Sequence, residues 1–152
     1  MPRSRDLRKG RVSEPGRAYI LTTVTARRAH LFANFLSGRE IARAIAWHDR
    51  AGWSRTLAWV VMPDHVHWLL ILDQRGSLDQ LMRSFKGYTA RALNVRLQRK
   101  GIPLWQPGFH DHAVRGDEDL RRLARYIVTN PLRARLVEDI GQYHLWDAIW
   151  LE

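Results

Sequence analysis

Two apolar runs, Leu57 to Met62 and His65 to Leu72, are separated by Pro63 and Asp64 alone, and no other feature constrains the fold so tightly. Each run has strand length, and no stretch approaches the ~20 apolar residues needed to span a bilayer. Proline sets φ at the turn and a two-residue link returns the chain on itself, so the pattern predicts an antiparallel hairpin. A hairpin this apolar must be covered, and the flanking sequence supplies the cover.

Before it, the β-branched segment Tyr19 to Thr25 predicts a first strand. Ser37 to Ala51 follows, with Ile41, Ala44, Ile45 and His48 at helical spacing and Gly52 as a C-terminal cap. After the hairpin, Ser77 and Gln80 form a capping box for a second helix whose buried face is Leu78, Leu81, Met82, Phe85 and Thr89. Trp105 to Val114 predicts another short strand with its approach. Asp117, Glu118 and Asp119 place acids at the start of a last helix, where its dipole favours them. Leu120, Leu123, Ala124 and Ile127 form that helix's stripe, and Pro131 ends or kinks it. The order predicts an α+β fold, an antiparallel sheet with helices packed mainly on one face. Residues 1–17, polar and basic with Gly10, Pro15 and Gly16, read as a flexible arm, and residues 18–152 as a single domain.

Charge narrows the partner. The 152-residue chain has 25 Lys+Arg against 15 Asp+Glu, a net charge of +10, and 22 of the cations are arginine. Arginine's planar fork matches phosphate oxygens bidentately and stacks on flat rings. The stretches Arg83 to Lys100 and Arg121 to Arg135 contain no acid, which reads as a phosphate-tracking surface or, more plainly, as solvated basic helix faces. The absence of cysteine excludes a disulfide framework, a thiolate zinc site and a cysteine nucleophile. A reducing, cytoplasmic and nucleoid-associated setting is the expectation, with no membrane partner and no secretory signal at the start.

His65-Val66-His67 lies in the second hairpin strand, where residues i and i+2 share a face. Their Cα atoms would stand roughly 6.5 Å apart, close enough for two imidazoles to converge on one cation. The same pattern suits two hydrogen-bonded or solvent-side histidines. On the last helix Tyr126 and Asn130 are one turn apart, with Arg122 a turn earlier, away from the apolar stripe. A phenol and an amide oxygen presented together suit attack on a phosphodiester, with a metal neutralising a non-bridging oxygen. By spacing alone, Tyr126 also fits an amphipathic residue at the edge of the core, and Asn130 a helix end before proline. Two histidines and an amide oxygen favour Mg²⁺ or Mn²⁺ over a closed zinc cage. Tyr88 is the rival nucleophile, and His110 and His112 form a second His-X-His.

Met62-Pro63-Asp64-His65-Val66-His67-Trp68-Leu69-Leu70 resembles the His-hydrophobic-His signature of the single-strand-specific tyrosine transposases of insertion sequences. Two further blocks, Leu104 to Arg115 and Arg125 to Ala134, are similar to those of the REP-associated tyrosine transposases, a domesticated chromosomal branch. The resemblance implies a sheet of RNA-recognition-motif (ferredoxin-like) type, with His65, His67 and Asn130 as metal ligands; many relatives have glutamine where Asn130 stands. It implies Tyr126 as the nucleophile of a 5′-phosphotyrosine, and single-stranded DNA with imperfect palindromes that fold into hairpins as substrate. Both monomers and helix-swapped homodimers occur among such proteins, so the oligomeric state is not carried over. Arg83, Lys86, Arg91 and Arg122 are the candidate phosphate contacts, Trp105 and Phe109 the candidate base-stacking rings, and His112 a near-site support. A non-catalytic single-strand binder and a metal-dependent hydrolytic nuclease are the competing classes.

Overall fold

The computed structural model of the chain describes residues 13–116 and 118–150. Most of the basic arm, and Asp117 of the acidic trio, lie outside the described residues. Of the arm, Ser13 to Arg17 rest on the body: Gly16 N–H donates to the Leu72 carbonyl, and the Ser13 hydroxyl accepts from Leu78 N–H.

The elements are strand β1 (Ala18–Val24), helix α1 (Phe35–Arg50), strands β2 (Ser54–Met62) and β3 (His65–Leu72), and helix α2 (Leu78–Arg96). Strand β4 (His110–Ala113), helix α3 (Leu120–Val128), a one-turn helix α4 (Asn130–Arg133) and strand β5 (Trp146–Ala148) complete them. The sheet order is β4-β1-β3-β2-β5, with every neighbouring pair antiparallel. In the order β1-α1-β2-β3-α2-β4 each helix crosses from one strand to a parallel one with a third strand between them, a split β-α-β arrangement. Such crossovers are right-handed, which puts both helices on the same sheet face.

The helix starts follow local chemistry. Asn34 accepts from Ser37 N–H at 3.1 Å, and Ser77 and Gln80 form the expected capping box. Asp119 caps α3 by accepting from Arg121 and Arg122 N–H. Helix α1 begins two residues earlier than periodicity suggests because Asn34 supplies the cap. Gly52, just past its end, takes φ +85°, the left-handed conformation glycine adopts without strain. Gly38 is needed for another reason: a Cβ there would sit 2.4 Å from Leu145 Cδ1, where the C-terminal segment crosses α1.

Alternation along β3 separates two cores. Val66, Trp68, Leu70 and Leu72 face α1 and α2, joining Tyr19, Leu21, Ile41, Ile45, Leu81 and Phe85. On the other face, Leu69 joins Ala58, Val60 and Met62 of β2 with Ala124, Ile127 and Val128 of α3. The two long helices thus cover one face, and the short α3 covers part of the other. Trp68 is held in place by its indole N–H, which donates to Thr56 Oγ1 at 2.9 Å. Asp49 in turn accepts from the Ser54 and Thr56 hydroxyls and from Thr56 N–H, tying α1 to the start of β2.

His48 is fully buried between the α1–α2 layer and the sheet, bonded to the Ala44 carbonyl at 2.6 Å and Ser84 Oγ at 2.9 Å. Burial depresses its pKa from 6.5, and the Ala44 hydrogen bond only partly offsets this. The neutral ring is the folded form, so its contribution is complete above pH 6.5 and is lost as pH falls and the unfolded chain takes up the proton. The urea midpoint is therefore expected to drop between pH 7 and pH 5. His48→Gln should shrink that drop; an equal drop in the variant would show that His48 is not responsible.

Candidate nucleic-acid site

Because β3 alternates, His65 and His67 project from the face opposite Val66 and Trp68, the face crossed by α3. Their rings lie 4.8 Å apart between centroids, nearly perpendicular. The neighbouring strands complete the face in rows: Met62–His65–Val24, then Val60–His67–Thr22–His110, then Ala58–Leu69–Ile20–His112.

Each histidine has its Nδ1 engaged. His65 Nδ1–H donates to Asp64 Oδ1 at 2.6 Å, and His67 Nδ1 pairs with Thr22 Oγ1 at 2.8 Å. A carboxylate can only accept, so His65 carries a proton on Nδ1. Two neighbouring imidazoles engaged through Nδ1, one of them by a carboxylate, are residues that could hold a divalent cation, with Asp64 as an outer partner. Burial, followed by the charges of His65 and Arg133, pushes His67 down to about 4, so it stays neutral, the ligating form, across the physiological range.

Asp64 is fixed from both sides. Its carbonyl accepts from Thr25 N–H at 2.9 Å and the Thr25 hydroxyl at 3.1 Å, and its second carboxylate oxygen accepts from Arg28 at 3.2 Å. Burial raises its pKa, but the hydrogen bonds and charges of His65 and Arg28 prevail and hold it below the usual carboxylate range. Arg27 and Arg28 adopt φ +56° and +51°, a left-handed pair that costs about 1 kcal/mol or more per residue and aims Arg28 at Asp64.

Tyr126 and Asn130 lie where α3 passes into α4. Pro131 lacks the N–H that would continue the helix, so α3 closes at Thr129 and the chain makes one further turn. Helix α3 packs on β2 and β3, and α4 on β2, so tyrosine and amide are brought to the histidine-bearing face. Tyr126 is 63% exposed. Among the described residues no hydrogen bond or ring contact joins its phenol to His65 or His67.

Other sequence-derived candidates are placed differently. Trp105 and Phe109 are 7% and 5% exposed, and Trp105 packs on Phe32 and Phe85 while its indole N–H donates to Thr89. The base-stacking role is therefore corrected: both rings belong to the core, because the approach to β4 folds under the sheet. Lys86 is corrected as well. Its ammonium donates to the Gln106 carbonyl at 2.8 Å and to that of Gly108, so it anchors the loop before β4. Arg83 and Arg91 are exposed on α2, in the layer behind the sheet relative to the histidines. Arg122 is exposed on α3, on the histidine side, and shares that helix with Arg121 and Arg125 of the same acid-free basic stretch. His112 is exposed on the same sheet face and pairs with Glu118 at 3.1 Å. Tyr88 stacks on Trp47 at 5.5 Å and packs against the core.

The residues bonded to the histidines and to Asp64, namely Asp64 itself, Thr22 and Arg28, were missed. Only Asp64, adjacent to His65 at a turn, had a local signal.

The sequence profile described as Transposase IS200 like matches residues 17–130, and the chain belongs to this family. Within it, the chain is similar to the REP-associated tyrosine transposase of Escherichia coli strain K12, 29% identical over 87 residues, which make up 57% of this chain and 49% of that protein. The matched segment thus spans about half the length of that curated relative. The solved structure of a REP-associated tyrosine transposase bound to a REP hairpin superposes with a TM-score of 0.72 at 25% identity, covering 90% of this chain and 79% of that one. A solved structure of a protein from Deinococcus radiodurans R1 shares the fold, with a TM-score of 0.54 at 24% identity over 90% of this chain and 97% of the other. No helix among the described residues is long and apolar enough to cross a membrane.

If Asp64 orients His65 for a cation, Asp64→Ala should weaken Mn²⁺ binding about 10–100-fold, read by titration calorimetry. Unchanged affinity would leave Asp64 a turn residue only.

Proposed function

We propose that this protein cuts and rejoins single-stranded DNA beside palindromic hairpins, through a covalent link between Tyr126 and the 5′ phosphate. The observation that carries the reading is the shared sheet face: His65 and His67 project from β3 toward the layer that holds Tyr126 and Asn130. Family membership and the hairpin bound by the REP-associated relative support a hairpin substrate for this chain.

His65, His67 and Asn130 would hold Mg²⁺ or Mn²⁺, which, when bound, withdraws charge from a non-bridging phosphate oxygen. The chain's own residues do the rest. Tyr126 Oη forms a bond to phosphorus as the bond from phosphorus to the 3′ oxygen breaks, and the phenolic proton passes to that leaving oxygen. The phosphodiester becomes a phosphotyrosine and a free 3′ hydroxyl, so attack by a 3′ hydroxyl on the link reverses the step. Exposure of Tyr126 at the surface lets a bulky strand reach it, and Arg121, Arg122 and Arg125 beside it supply positive charge for the backbone.

End-labelled hairpin DNA incubated with Mg²⁺ or Mn²⁺ is expected to give an SDS-resistant adduct, absent without metal and absent in Tyr126→Phe. Cleavage without an adduct would turn the reading into hydrolysis, and binding without cleavage into a pure binder. Separately, Arg122→Ala is expected to flatten the plot of log affinity against log salt by about 0.7, one single-strand phosphate contact. Arg83→Ala, behind the sheet, should leave the slope alone, and equal slopes for both variants would overturn this division of the basic surface.

A further inference from the structure

Seven residues after Tyr126, in the separate turn α4, Arg133 folds back over it. Its guanidinium carbon lies 3.9 Å from the centre of the Tyr126 ring. One terminal nitrogen donates to the Tyr126 carbonyl at 2.6 Å, and the other to Thr129 Oγ1 at 2.8 Å. Thr129 is itself tied back by its hydroxyl to the Arg125 carbonyl at 2.7 Å. An exposed arginine rarely holds one geometry, because its long side chain loses rotamer freedom when fixed. Here two hydrogen bonds and a ring contact fix it together.

Its charge is also unspent. Among the described residues Arg133 forms no ion pair, and its side chain is exposed. A guanidinium has five N–H donors and the two contacts use one on each terminal nitrogen, so further donors remain. The positive charge therefore stands over the face of the Tyr126 ring at the protein surface.

We propose that Arg133 is the positioning residue of the Tyr126 nucleophile: it clamps the phenol ring against the α3–α4 junction and presents a guanidinium to the phosphate that Tyr126 attacks. The inference rests on the phosphotyrosine reading and adds to it a residue outside the tyrosine, histidine and asparagine set. The junction at Pro131 is what makes the clamp possible, since α4 is a separate turn that carries Arg133 back toward Tyr126.

Two measurements test it. The first needs no activity: in the NMR spectrum of the metal-free protein, the Arg133 side-chain protons should be shifted upfield by the Tyr126 ring. The shift should persist in Tyr126→Phe and vanish in Tyr126→Leu; Arg133 resonances at ordinary positions in the wild type would overturn the clamp. The second compares Arg133→Gln and Arg133→Lys with wild type in hairpin affinity and single-turnover adduct rate. Arg133→Gln should slow adduct formation about 10–100-fold, the scale of a misplaced reacting group, with hairpin affinity nearly unchanged, and Arg133→Lys should recover part of the rate. Adduct formation at the wild-type rate in Arg133→Gln sinks this inference alone, as does a loss confined to affinity. Absence of any adduct from the wild type sinks the phosphotyrosine reading and this inference with it, and thermal melts of both variants confirm that they fold.

Discussion

The two-residue period of β3 is the constraint on which the molecule depends. One set of its side chains, Val66, Trp68, Leu70 and Leu72, seals the core under the long helices. The alternate set, His65, His67 and Leu69, is thereby committed to the opposite face. A slip of one residue in pairing would bury two imidazoles among Ile41, Phe85 and Trp105 and expose Trp68. The register that keeps the core apolar is thus the same register that presents the histidines, so stability and site geometry cannot be altered independently along this strand.

Much of this was readable in the chain itself. The Pro63-Asp64 hairpin, the Ser77/Gln80 cap and the stripes of the helices are local signals, and each depends on residues a few positions apart. The histidine pair belongs to the same group, because strand alternation is a local rule. What escaped depended on tertiary placement. The rings of Trp105 and Phe109 resemble stacking platforms when only composition is known, yet the chain before β4 turns Trp105 inward onto Phe32 and Phe85 and buries Phe109 in the same core. Lys86 belongs to a basic run, but the run cannot disclose that two loop carbonyls wait for its ammonium. Thr22 meets His67 across 45 residues of sequence, and only the register of β1 against β3 brings them together.

The site is also supported by strain stored nearby. Two consecutive arginines with positive φ would be uncommon at any surface turn, and here they follow β1, which pairs with the histidine strand, within the short 3₁₀ turn Ala26–Arg28. The buried Thr25 side chain holds that turn by donating to the Ala29 and Asp64 carbonyls. Distortion in the β1–α1 connection is thereby coupled to the carboxylate that orients His65. The connection, which sequence alone would assign to a plain loop, is part of the apparatus that sets the imidazole.

The borders of the sheet carry a different consequence. Strand β4 has four residues and β5 three, and these two short strands form the outer borders of a sheet whose inner strands run to seven, eight and nine. A long bare border is a template on which another polypeptide can add a strand and begin aggregation. Here the template is three or four residues long on either side and bears His110, Asp111, His112 and Asp147, whose polar side chains interrupt further pairing. A protein rich in apolar strands is in this way kept from polymerising through its own backbone.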